Sequence, residues 1–71
     1  IDINVSIYPN PSLGVVNIET DLNIIKINIY QEDGKLIKSS EDRSFNLAGN
    51  AIYFVKIFTS SGIIIKKLIV Q

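Results

Sequence analysis

The sequence contains no cysteine, histidine, methionine or tryptophan. Without cysteine there is no disulfide to form, so oxidising surroundings add nothing to the fold and reducing ones remove nothing. Without histidine and cysteine the chain lacks the commonest general base and the thiol nucleophile. Its seven carboxylates fall mostly in turns or polar stretches such as Glu41-Asp42, with no pairing that marks acid–base chemistry. A calcium loop needs several clustered oxygen ligands, and Glu32-Asp33 alone do not supply them. The chain is therefore read as non-enzymatic, with no catalytic, cofactor-binding or metal-binding residues.

Excess charge is also missing. Seven basic and seven acidic residues cancel to a net charge of zero, so there is no basic footprint for nucleic acid or anionic lipid. No apolar run approaches the roughly 20 residues that a membrane helix needs, and no membrane insertion is expected. The opening Ile1-Asp2-Ile3-Asn4 lacks the charged, apolar and cleavage-site order of a signal peptide. It reads as the interior of a longer polypeptide. Strand-like residues run to Gln71 with no polar tail, as expected of a native C-terminus.

At 71 residues the chain makes one domain, residues 1–71. A domain this short buries only about 60% of the surface its unfolded chain exposes, so packing alone must hold it. Apolar residues make up 46% of the chain. Isoleucine dominates them, as in Ile24-Ile25, Ile27, Ile29 and Ile63-Ile64-Ile65. β-branched side chains are stiff at the first torsion and suit a pleated surface better than a helix.

Period-two alternation then places the strands. Val5 and Ile7 alternate with Ser6 and Tyr8, until Pro9-Asn10-Pro11-Ser12 breaks the pattern. Val16 and Ile18 alternate with Asn17 and Glu19, and Asp21-Leu22-Asn23 reads as a turn. Ile25, Ile27 and Ile29 face one way, with Lys26, Asn28 and Tyr30 facing the other. Asp33-Gly34-Lys35 between alternating apolar runs signals a hairpin, because Asp and Gly both tolerate positive φ. Leu36 and Ile37 begin a fourth strand, and Ser39 to Ser44 reads as a connecting loop. Phe45 and Leu47 flank Asn46 in a short edge strand, and Ala48-Gly49-Asn50 turns the chain.

Ile52 to Thr59 is apolar on both faces except at Lys56, the pattern of a central strand. Tyr53, Val55 and Ile57 share one face, Phe54 and Phe58 the other, and Tyr53, Phe54 and Phe58 are assigned to the core. Ser60-Ser61-Gly62 makes a short loop, and Ile63 to Val70 is the last strand, interrupted by Lys66-Lys67. About seven short strands at spacings of about 8–12 residues predict an all-β fold. A small antiparallel, immunoglobulin-like β-sandwich is expected, with an open barrel as the alternative.

Four segments, in order, carry a family resemblance. Tyr8-Pro9-Asn10-Pro11-Ser12-Leu13-Gly14 looks like a PNPxxG entry motif. Ile29-Tyr30 with Asp33-Gly34-Lys35 looks like a central strand and its D-x-x-G-K hairpin, with the spacing compressed. Ile52-Tyr53-Phe54-Val55-Lys56-Ile57 looks like a GxYxVKI strand, and Lys67-Leu68-Ile69-Val70 like a terminal KLxV strand. Together they resemble the type A C-terminal sorting domain of cargo exported by the bacterial type IX secretion system. The likeness covers essentially the whole chain. One departure is Ala51, where the family usually has glycine two residues before the tyrosine; Gly49 lies close by.

The resemblance implies an address rather than a catalyst. Cargo would cross the inner membrane with its own signal peptide. The folded domain would be recognised in the periplasm by shuttle proteins and the outer-membrane translocon. A sortase-like surface peptidase would then remove it, or the cargo would be attached at the cell surface. The implied recognition segment is Lys66, Lys67, Leu68, Ile69 and Val70. A second reading of Lys66-Lys67 is that charge on an edge strand discourages edge-to-edge pairing. The terminal strand is also placed to add to a partner's sheet. The proline turn reads mainly as a stiff strand connection. An accessory immunoglobulin-like or carbohydrate-binding module is the alternative function.

Overall fold

A computed structural model describes residues 5–71. The opening Ile1-Asp2-Ile3-Asn4, read above as lacking signal-peptide order, lies outside the described residues. The described chain forms seven strands: β1 Ser6–Tyr8, β2 Val15–Glu19, β3 Ile24–Gln31, β4 Leu36–Ser40, β5 Ser44–Asn46, β6 Ala51–Thr59 and β7 Gly62–Val70. They assemble into a three-stranded sheet, β1-β2-β5, and a four-stranded sheet, β4-β3-β6-β7. All strand pairs are antiparallel. The two sheets share one core, so the expected small β-sandwich is the fold observed.

Alternation builds that core. Val16, Ile18 and Phe45 from the small sheet meet Ile27, Ile29, Tyr53, Val55, Ile57, Leu68 and Val70 from the large one. Val5 joins them ahead of β1. Each burial removes apolar surface from water, and a Val or Ile side chain contributes about 1.5–3 kcal/mol. Isoleucine and valine fill most of these sites, so their stiff rotamers lose little further freedom on packing.

The predicted turns hold, with local corrections. The Gln31 N–H donates to the Lys35 carbonyl at 2.8 Å, which closes the hairpin around the three residues Glu32, Asp33 and Gly34. Only Gly34 takes positive φ, at 93°, and the carboxylate of Asp33 accepts from the Lys35 N–H at 3.0 Å. Two positive-φ residues are not needed, because a type I turn followed by one left-handed residue also closes a hairpin. Polar Ser39 and Ser40 belong to β4 and not to a loop, which shortens the β4–β5 connection.

Two core expectations fail for physical reasons. Ile25 does not share a face with Ile27 and Ile29. A register shift between Ile24 and Lys26 makes it the extra residue of a bulge, and its side chain is exposed. Of the three aromatics assigned to the core, only Tyr53 is buried; Phe54 and Phe58 are half-buried. They point to the outer face of the four-stranded sheet, where no second layer is stacked among the described residues. Lysine stems cover part of that face instead. The ammonium groups of Lys26 and Lys56 lie 4.7 Å and 5.2 Å from the centre of the Phe58 ring, a cation–π geometry.

Candidate functional site

The last strand lies at the edge of the large sheet, held by β6 on one side. Its register with β6 is unbroken from Thr59↔Gly62 to Ala51↔Val70. Lys66-Lys67 therefore do not interrupt it. Alternation sends Leu68 and Val70 into the core and Lys67 and Ile69 to the outer face. Lys66 sits on the inner face opposite Val55, yet is exposed. Of the segment Lys66 to Val70, three side chains are thus exposed and two are buried.

The other side of β7 is closed by the proline turn, over half its length. Asn10 does this with its side chain. Its Nδ2 amide donates to the Lys67 carbonyl at 3.1 Å, and its Oδ1 accepts from the Ile69 N–H at 3.1 Å. A side-chain amide carries the same donor–acceptor pair as a peptide unit, so Asn10 stands in for a neighbouring strand. Ser12 continues with backbone groups. Its N–H donates to the Ile69 carbonyl and its carbonyl accepts from the Gln71 N–H, both at 2.8 Å. Ser12 and Val70 form a parallel bridge.

Ser12 is itself anchored. It is fully buried, and its hydroxyl donates to the Val15 carbonyl at 2.6 Å while accepting from the Gly14 N–H at 2.9 Å. Pro9 and Pro11 flank Asn10 and are exposed. Both X–Pro bonds are cis. With no N–H to satisfy, prolines can occupy this edge without leaving orphan donors. The turn thus has a job that local sequence reading does not reveal: it pairs with the far end of the chain.

Two further contacts seat that end. Gly49 packs against the last residue so closely that an added Cβ would lie 2.8 Å from the Gln71 carbonyl oxygen. Only glycine fits that approach. The next residue, Asn50, takes the left-handed conformation with φ at 57°. The turn before β6 is thus built on Gly49 and Asn50, and Ala51 starts the strand opposite Val70. The Tyr53 hydroxyl donates to the Ala48 carbonyl at 2.9 Å, tying this turn to β6. In the sequence Ser12 and Gly49 show only as small residues beside turn formers, Ser12 within the proline segment and Gly49 next to Asn50 and Ala51.

The remaining motif residues lie elsewhere. Val55 is fully buried in the core opposite Lys66, and Lys56 is half-buried on the outer face. Asp33, Gly34 and Lys35 form the exposed β3–β4 hairpin. They do not touch the proline turn through any hydrogen bond described. Among the described residues no cluster of His, Cys, Asp or Glu could hold a metal ion.

No curated protein and no solved structure is significantly similar to this chain. The family model described as the secretion system C-terminal sorting domain matches residues 6–71. That span runs from β1 to the final residue and includes the proline turn, the hairpin, β6 and β7. On that match, the chain belongs to the family of C-terminal sorting domains of the type IX secretion system.

Proposed function

We propose that this domain directs an attached cargo across the outer membrane through the type IX translocon. The end of β7 is the part that the export machinery reads. The carrying observation is the grip on that end: Asn10, Ser12 and Gly49 all close on residues 67–71. Such a clamp gives the terminal segment one fixed shape, so recognition can be of a folded surface rather than of a loose tail. A preformed surface binds without the ordering cost that a disordered segment carries.

Within the segment Lys66 to Val70, Lys66, Lys67 and Ile69 are exposed and are the side chains available to a partner. Leu68 and Val70 act from beneath, by holding the strand to the core. The domain reaches the cell surface by way of the periplasm, with shuttle proteins and a sortase-like surface peptidase as partners. The peptidase removes the domain, or the cargo is retained on the surface. The domain itself performs no chemistry.

The test is a periplasmic reporter carrying residues 1–71 at its C-terminus in a type IX-competent host, as wild type and as Lys67→Ala. The wild-type fusion should leave the cell. Lys67→Ala should reduce export while the purified domain keeps its unfolding midpoint. Retention of the wild-type fusion with the domain folded overturns the function. Undiminished export of Lys67→Ala overturns the location of the read surface.

A further inference from the structure

The sandwich manages three of its four sheet edges by known devices. β1 and β5, the edges of the small sheet, have three residues each. β4, one edge of the large sheet, has five and carries a register shift against β3. Short and irregular edges are poor templates for another strand. β7 differs. It has nine residues in unbroken register, and the proline turn closes only its C-terminal half.

The open half is well defined. Ile69 turns both its N–H and its C=O away from β6, toward Asn10 and Ser12. Antiparallel pairing repeats every two residues, so Lys67, Ile65 and Ile63 turn theirs the same way. The Lys67 carbonyl is taken by Asn10. The Lys67 N–H and both groups of Ile63 and Ile65 face outward with no partner among the described residues. Five backbone groups thus form a short ladder with one side missing. The side chains beside them are apolar and exposed, 56% for Ile63 and 62% for Ile65.

Charge says what would fit. Residues 51–71, the whole β6–β7 hairpin, contain Lys56, Lys66 and Lys67 and not one carboxylate side chain. A zero net charge conceals this segregation. Lys56 pairs with Ile65 and Lys67 follows two residues later, so both lysines share the outer face with the two isoleucines. Lys66 lies on the opposite face of the same strand.

We propose that the Gly62–Lys67 edge accepts an extended segment of a partner protein in which apolar and acidic residues alternate. The segment would complete the ladder as an added strand. Its apolar side chains would cover Ile63 and Ile65 on the outer face, and its carboxylates, on the opposite face, would meet Lys66. A second copy of this chain is the poorer occupant, since its own β6–β7 hairpin would bring three more lysines and no carboxylate side chain to the same edge. This inference stands on edge geometry and not on export, so failure of either leaves the other intact.

The test uses the 71-residue chain and two capped seven-residue peptides, one alternating valine with glutamate and one valine with lysine. Amide hydrogen exchange is followed residue by residue. The glutamate peptide should protect the amides of Ile63, Ile65 and Lys67. Ile64 and Lys66, already bonded to β6, report that the fold is intact. Binding of the lysine peptide should be weaker by about tenfold or more, as should binding of the glutamate peptide to Ile65→Asp, a difference of about 1.4 kcal/mol or more. The proposal is overturned by protection at β4 or β5 instead, by no protection, or by equal binding of both peptides. It is also overturned if the chain protects these amides on its own through a concentration-dependent dimer.

Discussion

Replacing Asn10 by alanine removes one side chain that is exposed and touches no core. Contact with the hydrophobic interior therefore contributes nothing to the outcome. What is lost is two hydrogen bonds to β7, each 3.1 Å long. A typical bond contributes about 0.5–1.5 kcal/mol net, and water can reach both of these groups, which favours the lower part of that range. The expected loss is about 1–2 kcal/mol. In a domain of this size each kcal/mol moves the midpoint by roughly 4–8 °C, so the shift should be about 5–15 °C. The matched control is Leu13→Ala, whose side chain is 85% exposed; it should stay within about 0.5 kcal/mol of wild type.

The same position allows a sharper test with Asn10→Asp. The ionised carboxylate can still accept from the Ile69 N–H but has nothing to donate to the Lys67 carbonyl. The protonated acid restores that donor. The folded state therefore favours the protonated form, which raises the folded pKa above the unfolded value of about 3.9. A group shifted upward contributes stability below its unfolded pKa and loses it as pH rises through the folded one. The stability gap between wild type and variant should be wide at neutral pH and narrow near about pH 3. Urea unfolding of both proteins at the two pH values reads this gap directly. A gap that is absent, or that does not change with pH, refutes the role assigned to the Asn10 amide.

Other residues give further tests. Ile57→Ala empties a fully buried site and should cost about 2–5 kcal/mol, enough to leave much of so small a domain unfolded by circular dichroism. Tyr53→Phe removes the donor to the Ala48 carbonyl at 2.9 Å and should cost about 1–2 kcal/mol, with little change in far-ultraviolet spectrum. Gly49→Ala must push Gln71 aside and should cost about 1–3 kcal/mol, with loss of exchange protection first at the Gln71 amide.

The fold is legible in the sequence because its signals are local. β-branched residues at every second position mark β2, β3 and β6, and Asp33-Gly34 and Ser60-Ser61-Gly62 mark two hairpins. The failures arise where one residue is added or where a layer is missing. The extra residue Ile25 leaves the alternation of β3 apparently intact while rotating one isoleucine out of the core. The outward rings of Phe54 and Phe58 have the same apolar character as core rings. Nothing in β6 itself tells that only one of its faces is covered.

The clamp on β7 was hidden for a different reason. Asn10 is separated from its partners Lys67 and Ile69 by 57 and 59 residues, and no propensity scale links positions that far apart. Pro9-Asn10-Pro11 read locally is a stiff turn, which is true and incomplete. The segment named for recognition, Lys66 to Val70, also divides on inspection of the strand. Alternation gives Lys67 and Ile69 to the outer surface and Leu68 and Val70 to the core.

The most direct test of the sorting role is the distribution of one reporter between cell and medium or surface. The reporter carries residues 1–71 at its C-terminus and is expressed in two hosts that differ only in the type IX outer-membrane translocon. The expected result is a reporter outside the first host and in the periplasm of the second. Equal distribution in the two hosts, with the domain folded in both, would contradict the claim that this small β-sandwich is an export address.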